Sequence, residues 1–380
     1  MGTQGRILAL KLYLIPIILS AACHHQPGLK QVFQEDFYIG VALNEDQIFG
    51  KDTQAVALVE KHFNSITAEN VMKWEPLHPE PTRYHFEPAD RFVAFGEKNK
   101  MFIVGHTLIW HYQTPGWVFQ DKEGKPVDRQ TLIQRMKDHI FTVVGRYKGR
   151  VHGWDVVNEA LADDGSFRQS PWFTIIGSEY IEQAFQFARQ ADPEAELYYN
   201  DYNLWKPEKA AATVRLIQDL QSKGIRVDGV GEQGHWGLEY PENLQDLESS
   251  ILAFSQLGLQ VMITELDITV LPFPDPALIG ADISRTFQWQ KKLNPFPQVL
   301  PDSMQVVLAH RYAEVFRLFV KHRDKISRVT FWGVQDGQSF RNYWPISGRR
   351  DYPLLFDRQY QPKPAFYAVI KSKNLTPTNK

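Results

Sequence analysis

Short apolar runs recur along the chain, and between them apolar residues return every third or fourth position. The runs are Tyr38–Ala42, Ser65–Ala68, Phe102–Thr107, Gly153–Val157, Leu197–Asn200, Gly229–Gly231, Val261–Glu265 and Arg328–Trp332. They are too short for helices and are bounded by turn-forming residues, so they predict strands. Helical spacing is plain over Ala55–His62, Thr131–Tyr147, Ile181–Gln190, Glu208–Lys223, Leu244–Leu257 and Val307–His322. Gly224 and Gly258 close two of these patterns, and Pro207 and Pro241 stand near two starts. Strands that alternate with helices pair in parallel, because each crossover returns the chain to the same end of the sheet and covers its outer face. Eight such units predict an α/β protein, a single (β/α)8 TIM barrel over 37–375. No internal repeat, low-complexity tract or Pro/Ser-rich linker divides it.

The N-terminus departs from this pattern. Arg6 and Lys11 precede an apolar run from Leu12 to Leu19, followed by Ser20-Ala-Ala-Cys23. That layout predicts a signal peptide over 1–22 rather than a membrane span. Small residues before the chain's single cysteine point to the lipoprotein type, with Cys23 lipidated as the first mature residue and 23–36 as a short tether. Ser20 stands where such sites usually carry Leu, and ordinary cleavage after Ala22 is the other reading. The first places the protein on the cell envelope by a lipid anchor, its only membrane link; the second makes it periplasmic or extracellular.

Composition narrows the field further. A net charge of −2 with interspersed signs gives no basis for nucleic acid as a partner. One cysteine excludes internal disulfides, Cys-rich zinc sites and iron–sulfur clusters, and the twelve histidines show no metal spacing, so neither a cofactor nor a metal is expected. Gly229-Val-Gly-Glu-Gln-Gly234 has the spacing of a dinucleotide loop, but His235-Trp236-Gly237 follows where the phosphate-binding helix should begin, and Pro241 comes only after it. Aromatic residues make up 13% of the chain, including ten Trp, and flat apolar rings suit sugar faces. A monomer is expected.

In a barrel, chemistry gathers at the strand C-termini, and polar residues recur there. Glu69, Asn70 and Lys73 follow strand two, His106 and Trp110 strand three, Asn158 and Glu159 strand four, and Tyr202 strand five. Gln233 and His235 follow strand six, Glu265 and Asp267 lie at strand seven, and Trp332 at strand eight. Two strand-end glutamates on opposite walls, Glu159 and Glu265, meet the needs of glycosidic cleavage: one acid to protonate the leaving oxygen, one carboxylate across the anomeric carbon. Asn158 could hydrogen-bond a hydroxyl beside that carbon. Glu265 and Asp267 share a strand face, so Asp267 could hold His235, and His235 could hold Glu265. Glu265 is then the ionised nucleophile and Glu159 the protonated acid. The irregular stretch 269–303 lies on the same rim, and its Phe273, Phe287, Trp289 and Phe296 are candidates for binding leaving-group sugars or polymer side chains.

Seven motifs in order resemble glycoside hydrolase family ten, the endo-β-1,4-xylanases, from Phe37 to Ile370. They are Thr67-Ala-Glu-Asn-Val-Met-Lys-Trp74, His106-Thr-Leu-Ile-Trp-His111, Trp154-Asp-Val-Val-Asn-Glu159, Tyr199-Asn-Asp-Tyr-Asn203, Gly229-Val-Gly-Glu-Gln-Gly-His235, Ile263-Thr-Glu-Leu-Asp267 and Phe331-Trp-Gly-Val-Gln-Asp336. The resemblance implies a retaining xylanase with Glu159 as acid/base and Glu265 as nucleophile. It implies that Glu69, Asn70, Lys73, His106, Trp110, Asn158, Gln233, His235 and Trp332 bind xylose units of xylan, with Tyr202 beside them. Phe340 stands where the family usually has a second Trp, so stacking there is expected to be altered. The alternatives are a xylan-binding surface lipoprotein without activity, which would be free to lose a glutamate, and another retaining β-1,4-glycanase.

Overall fold

The computed structural model describes residues 27–273 and 293–373. Residues 1–22 with their proposed signal, Cys23, Phe287 and Trp289 lie outside the described residues. Nine strands are present among those described: β1 Tyr38–Leu43, β2 Ser65–Ala68, β3 Phe102–Ile109, β4 Gly153–Asn158, β5 Glu196–Asp201, β6 Gly229–Glu232, β7 His235–Gly237, β8 Gln260–Thr269 and β9 Ile326–Phe331. All pairings are parallel, and β1 bonds to both β2 and β9 while β6 bonds to β8, which closes an eight-stranded ring. The extra strand, β7, pairs with the upper end of β8, setting His235 beside Asp267.

A long helix follows each barrel strand: Thr53–His62, Glu87–Lys98, Arg129–Arg146, Glu179–Ala191, Pro207–Ser222, Leu244–Gln256, Asp302–Lys321 and Pro364–Ser372. Caps, prolines and glycines start and stop several of them. Asp52 accepts from Ala55 N at 2.9 Å and Asp128 from Thr131 N at 2.8 Å, which satisfies first-turn amides left without helical partners. Proline begins Pro207–Ser222, and Gly224 and Gly258, both at positive φ, follow helix ends.

Two apolar layers hold the barrel. The larger lies between strands and helices and includes Trp154, Val156, Phe185, Ile263 and Phe316, all buried. The smaller sits within the ring, where Val104, Tyr198 and Met262 meet, and Arg328 lies over the Phe102 and Tyr198 rings at 5.4 and 5.2 Å. This floor keeps the lower ring filled and leaves the upper end for polar side chains.

The structure differs from the sequence reading in two places. Residues 28–36, read as tether, contain the helix Leu29–Val32, and Leu29 and Phe33 are fully buried, with Phe33 stacked on Phe37 at 5.3 Å. Two large apolar side chains four apart pin this segment to the barrel. The stretch after β8, read as irregular through Ser303, is helical from Asp302.

Candidate active site

A cleft of about 490 Å³ opens at the C-terminal ends of the strands. Glu69, Asn70, Lys73, His106, Trp110, Asn158, Glu159, Tyr202, Gln233, His235, Glu265, Trp332 and Phe340 all line it. Asp267 is fully buried behind them.

Glu265 projects from β8 into a ring of donors. Asn200 donates from Nδ2 to its Oε1 at 2.8 Å, and His235 Nε2 lies 3.2 Å from its Oε2. The other ring nitrogen, Nδ1, is 3.1 Å from Asp267 Oδ1. An imidazole with a carboxylate at each nitrogen donates to both only as imidazolium. Burial works against that charge, but Asp267 and then Glu265 outweigh it and push the His235 pKa up to about 9. Burial would likewise raise Glu265. The hydrogen bond from His235 and the nearby His106 and Lys73 overcome it, holding this carboxyl below its ordinary range and ionised. Asp267 in turn accepts from Arg341 Nε at 2.9 Å and Nη2 at 2.7 Å, both on the oxygen that faces His235.

Glu159 is held differently. It stands just past β4, where its N–H donates to Asn200 O at 2.9 Å and its φ is +58°. That left-handed conformation is costly for a residue with a Cβ, and it turns the side chain off the strand into the cleft. Arg168 braces the turn, donating from Nε to Glu159 O at 2.8 Å and from Nη2 to Leu161 O at 3.2 Å and Tyr202 Oη at 2.7 Å. On the side chain, Gln233 donates to Oε1 at 3.0 Å, while the buried Oε2 has no protein partner among the described residues. The Asn158 amide sits between Asn200 at 2.9 Å and Gln233 at 3.3 Å, so these amides join the two glutamates in one network. Gly231 makes room for it: a Cβ there would lie 2.4 Å from Asn200 Oδ1.

One flank of the cleft is polar. Lys73 donates to Asn70 Oδ1 at 3.0 Å and Gln113 Oε1 at 2.9 Å, with its Nζ 4.9 Å from the Trp110 ring. Burial lowers its pKa, against the pull of Glu265, Glu69 and Glu159, and burial raises that of Glu69 against Lys73. His106 pairs with buried Asp155 at 2.8 Å and sets its ring edge-on to Trp332 at 5.3 Å. Tyr202 rests on Lys209, whose Nζ is 3.7 Å from the ring centre and 2.8 Å from buried Asp201.

The other flank is aromatic. Phe340 meets His235 edge-on at 5.0 Å, Trp344 tilts over Phe340 at 5.8 Å, and Phe273 meets Trp344 at 6.0 Å. Phe273 thus lines the cleft beside Trp344 and Phe340. Phe296 does not line it: its ring packs on the core while its carbonyl accepts from Tyr352 Oη at 2.8 Å, a turn-fixing role. Sequence reasoning missed Gln113, Arg168, Arg341 and Trp344. Arg341 lies one residue past Phe340, and an arginine next to a predicted cleft aromatic was the available signal. Among the described residues no three His, Cys, Asp or Glu side chains gather as metal ligands would.

The sequence profile of glycosyl hydrolase family 10 matches residues 28–372. The chain is 48% identical over 362 residues to endo-1,4-β-xylanase A of Xylanibacter ruminicola, covering 95% of this chain and 97% of that one. It is 43% identical over 356 residues to an endo-1,4-β-xylanase of Geobacillus stearothermophilus, covering 92% and 99%. Among solved structures, a GH10 endoxylanase from a sugarcane soil metagenome superposes with a TM-score of 0.86 at 43% identity, over 92% of this chain and 100% of that chain. A xylanase of Paenibacillus barcinonensis in complex with a conduramine derivative gives 0.82 at 36% identity, over 91% and 99%.

Proposed function

The chain belongs to glycosyl hydrolase family 10, and from that premise we infer that it is an endo-1,4-β-xylanase, cutting internal bonds of xylan with retention at the anomeric carbon. In the reading we favour, Glu265 attacks that carbon while Glu159 protonates the departing oxygen. Water then enters on the same face, with Glu159 taking its proton, and releases the sugar from Glu265. The observation that carries this division is the unlike setting of the two carboxyls. Glu265 receives donors on both oxygens and is held ionised, whereas Glu159 keeps one oxygen free of protein partners. Asn158 is assigned to the hydroxyl next to the reacting carbon, where a hydrogen bond that tightens in the transition state is worth most. Glu69, Asn70, Lys73, His106, Trp110, Tyr202, Gln233, His235, Trp332 and Phe340 are assigned to the flanking xylose units.

Trapping with a 2-fluoro-xylobioside bearing a good leaving group tests the assignment: mass spectrometry should place the adduct on Glu265. An adduct elsewhere, or none with the enzyme active, refutes it. Xylan, arabinoxylan and carboxymethyl cellulose, with sizing of the released oligosaccharides, test the substrate. Release from cellulose alone would change the substrate and leave the two carboxyl roles standing.

We also propose that the protein reaches the cell envelope as a lipoprotein attached through Cys23. The order of Arg6, Lys11, the apolar run and Ser20-Ala-Ala supports it. A mature N-terminus with an unmodified Cys23 would reject it.

A further inference from the structure

We propose that Arg341 is a positioning residue for the nucleophile, acting through Asp267 and His235 to keep Glu265 ionised. The inference rests on the reading of Glu265 as nucleophile. Its basis is a four-member line of alternating charge: Arg341, Asp267, His235 and Glu265, joined by contacts of 2.7, 3.1 and 3.2 Å. Arg341, Asp267 and Glu265 are exposed by 5% or less, so water contributes little to holding these charges. Three nitrogens converge on one oxygen, Asp267 Oδ1: Arg341 Nε, Arg341 Nη2 and His235 Nδ1. Asp267 Oδ2 has no partner among the described residues, so no other donor shares the work.

The charges decide the consequence. With both carboxylates ionised and His235 an imidazolium, the last three members sum to one buried negative charge, which Arg341 cancels. Without it, a fully buried Asp267 gains by taking a proton. A neutral Asp267 no longer favours the imidazolium, and a neutral His235, although its Nε2–H still points at Glu265, stabilises that carboxylate less than the cation does. The other groups facing this line do not replace Arg341. Tyr240 and Tyr312 face Asp267 as neutral phenols, Asp351 adds negative charge near Arg341, and Arg349 is directed to the Pro272 and Leu293 carbonyls. On the other side of Glu265, His106 and Lys73 act on the nucleophile directly and not on Asp267.

The test is the pH profile of kcat/KM on an aryl xylobioside for the wild type, Arg341→Met, Arg341→Lys, Asp267→Asn and the Arg341→Met/Asp267→Asn double variant, each confirmed folded by circular dichroism. The expected result is an acid limb displaced upward by about one pH unit in Arg341→Met. Arg341→Lys should lie between it and wild type, and Arg341→Met should cause no further displacement once Asp267 is Asn. Activity lowered equally at every pH in Arg341→Met, or the same displacement in the Asp267→Asn background, overturns the proposal. Should Arg341→Met not fold, the Arg341→Lys profile decides by the same criterion. Failure of these variants leaves the fluoro-sugar adduct on Glu265 intact, whereas loss of that adduct would remove the reading itself.

Discussion

The two walls of the cleft present the same functional group by opposite means. Glu265 lies within its strand, β8, and is fixed at its side chain by a line of charges that ends on Arg341. Glu159 lies just past the end of its strand and is fixed chiefly at its main chain, by a left-handed turn braced by Arg168. Full anchoring of a carboxyl through its oxygens suits a group that stays charged until it bonds to carbon. A group that gives up a proton and takes one back needs an oxygen unencumbered by fixed donors, so its aim comes from the backbone. The difference shows that positioning and protonation can be controlled separately on one barrel rim.

The largest expected effect breaks the charged wall. Glu265→Gln keeps the shape and removes the nucleophile, and kcat on xylan should fall by on the order of 10⁴-fold or more. Next comes the other wall. Glu159→Gln should lower kcat on xylan by roughly 10²–10⁴-fold, and much less on substrates whose leaving group departs without a proton. Equal losses on both substrates would mean that the walls do not differ as described. The third variant leaves both carboxyls in place: Arg168→Met loosens only the turn and should reduce kcat/KM by roughly 10–10²-fold through misplacement of Glu159. It should leave fluoro-sugar labelling of Glu265 in place, which separates the two supports.

The smallest expected effect is thermal. The His235 pKa is raised to about 9 in the fold, so the stability it contributes is complete below its unfolded value near 6.5 and fades as pH rises toward 9. Glu232, raised by burial to about 7, also weakens the fold as pH rises, but its change is largely complete by then. Between pH 7.5 and 9 the Tm should therefore drop by a few degrees in wild type and by less in His235→Asn.

The barrel and most of the cleft were legible because their signals are local. A strand's apolar run and the polar residue at its end lie within ten positions, and both Glu159 and Glu265 were found that way. Alternation along β8 even placed Asp267 and Glu265 on one face and suggested the bridge through His235, whose two ring nitrogens lie 3.1 and 3.2 Å from those carboxylates. What could not be read is whatever depends on contacts made across the fold. Arg341 reaches Asp267 over 74 positions, and Gln113 reaches Lys73 over 40, with no periodicity to announce either. Phe296 misled because an aromatic in a rim loop can point inward or down, and only packing decides which. The helix at Leu29 was lost among polar neighbours, since one turn offers too few positions for a pattern.

The conformation at Glu159 sets chemistry against durability. A backbone at φ +58° penalises any side chain by about 1–2 kcal/mol relative to glycine, which adopts it freely. The residue that would suit this bend best is therefore one that cannot deliver a proton. A lineage released from cutting polysaccharide would have a downhill path toward glycine at 159, ending as a sturdier shell that grips sugar chains without severing them.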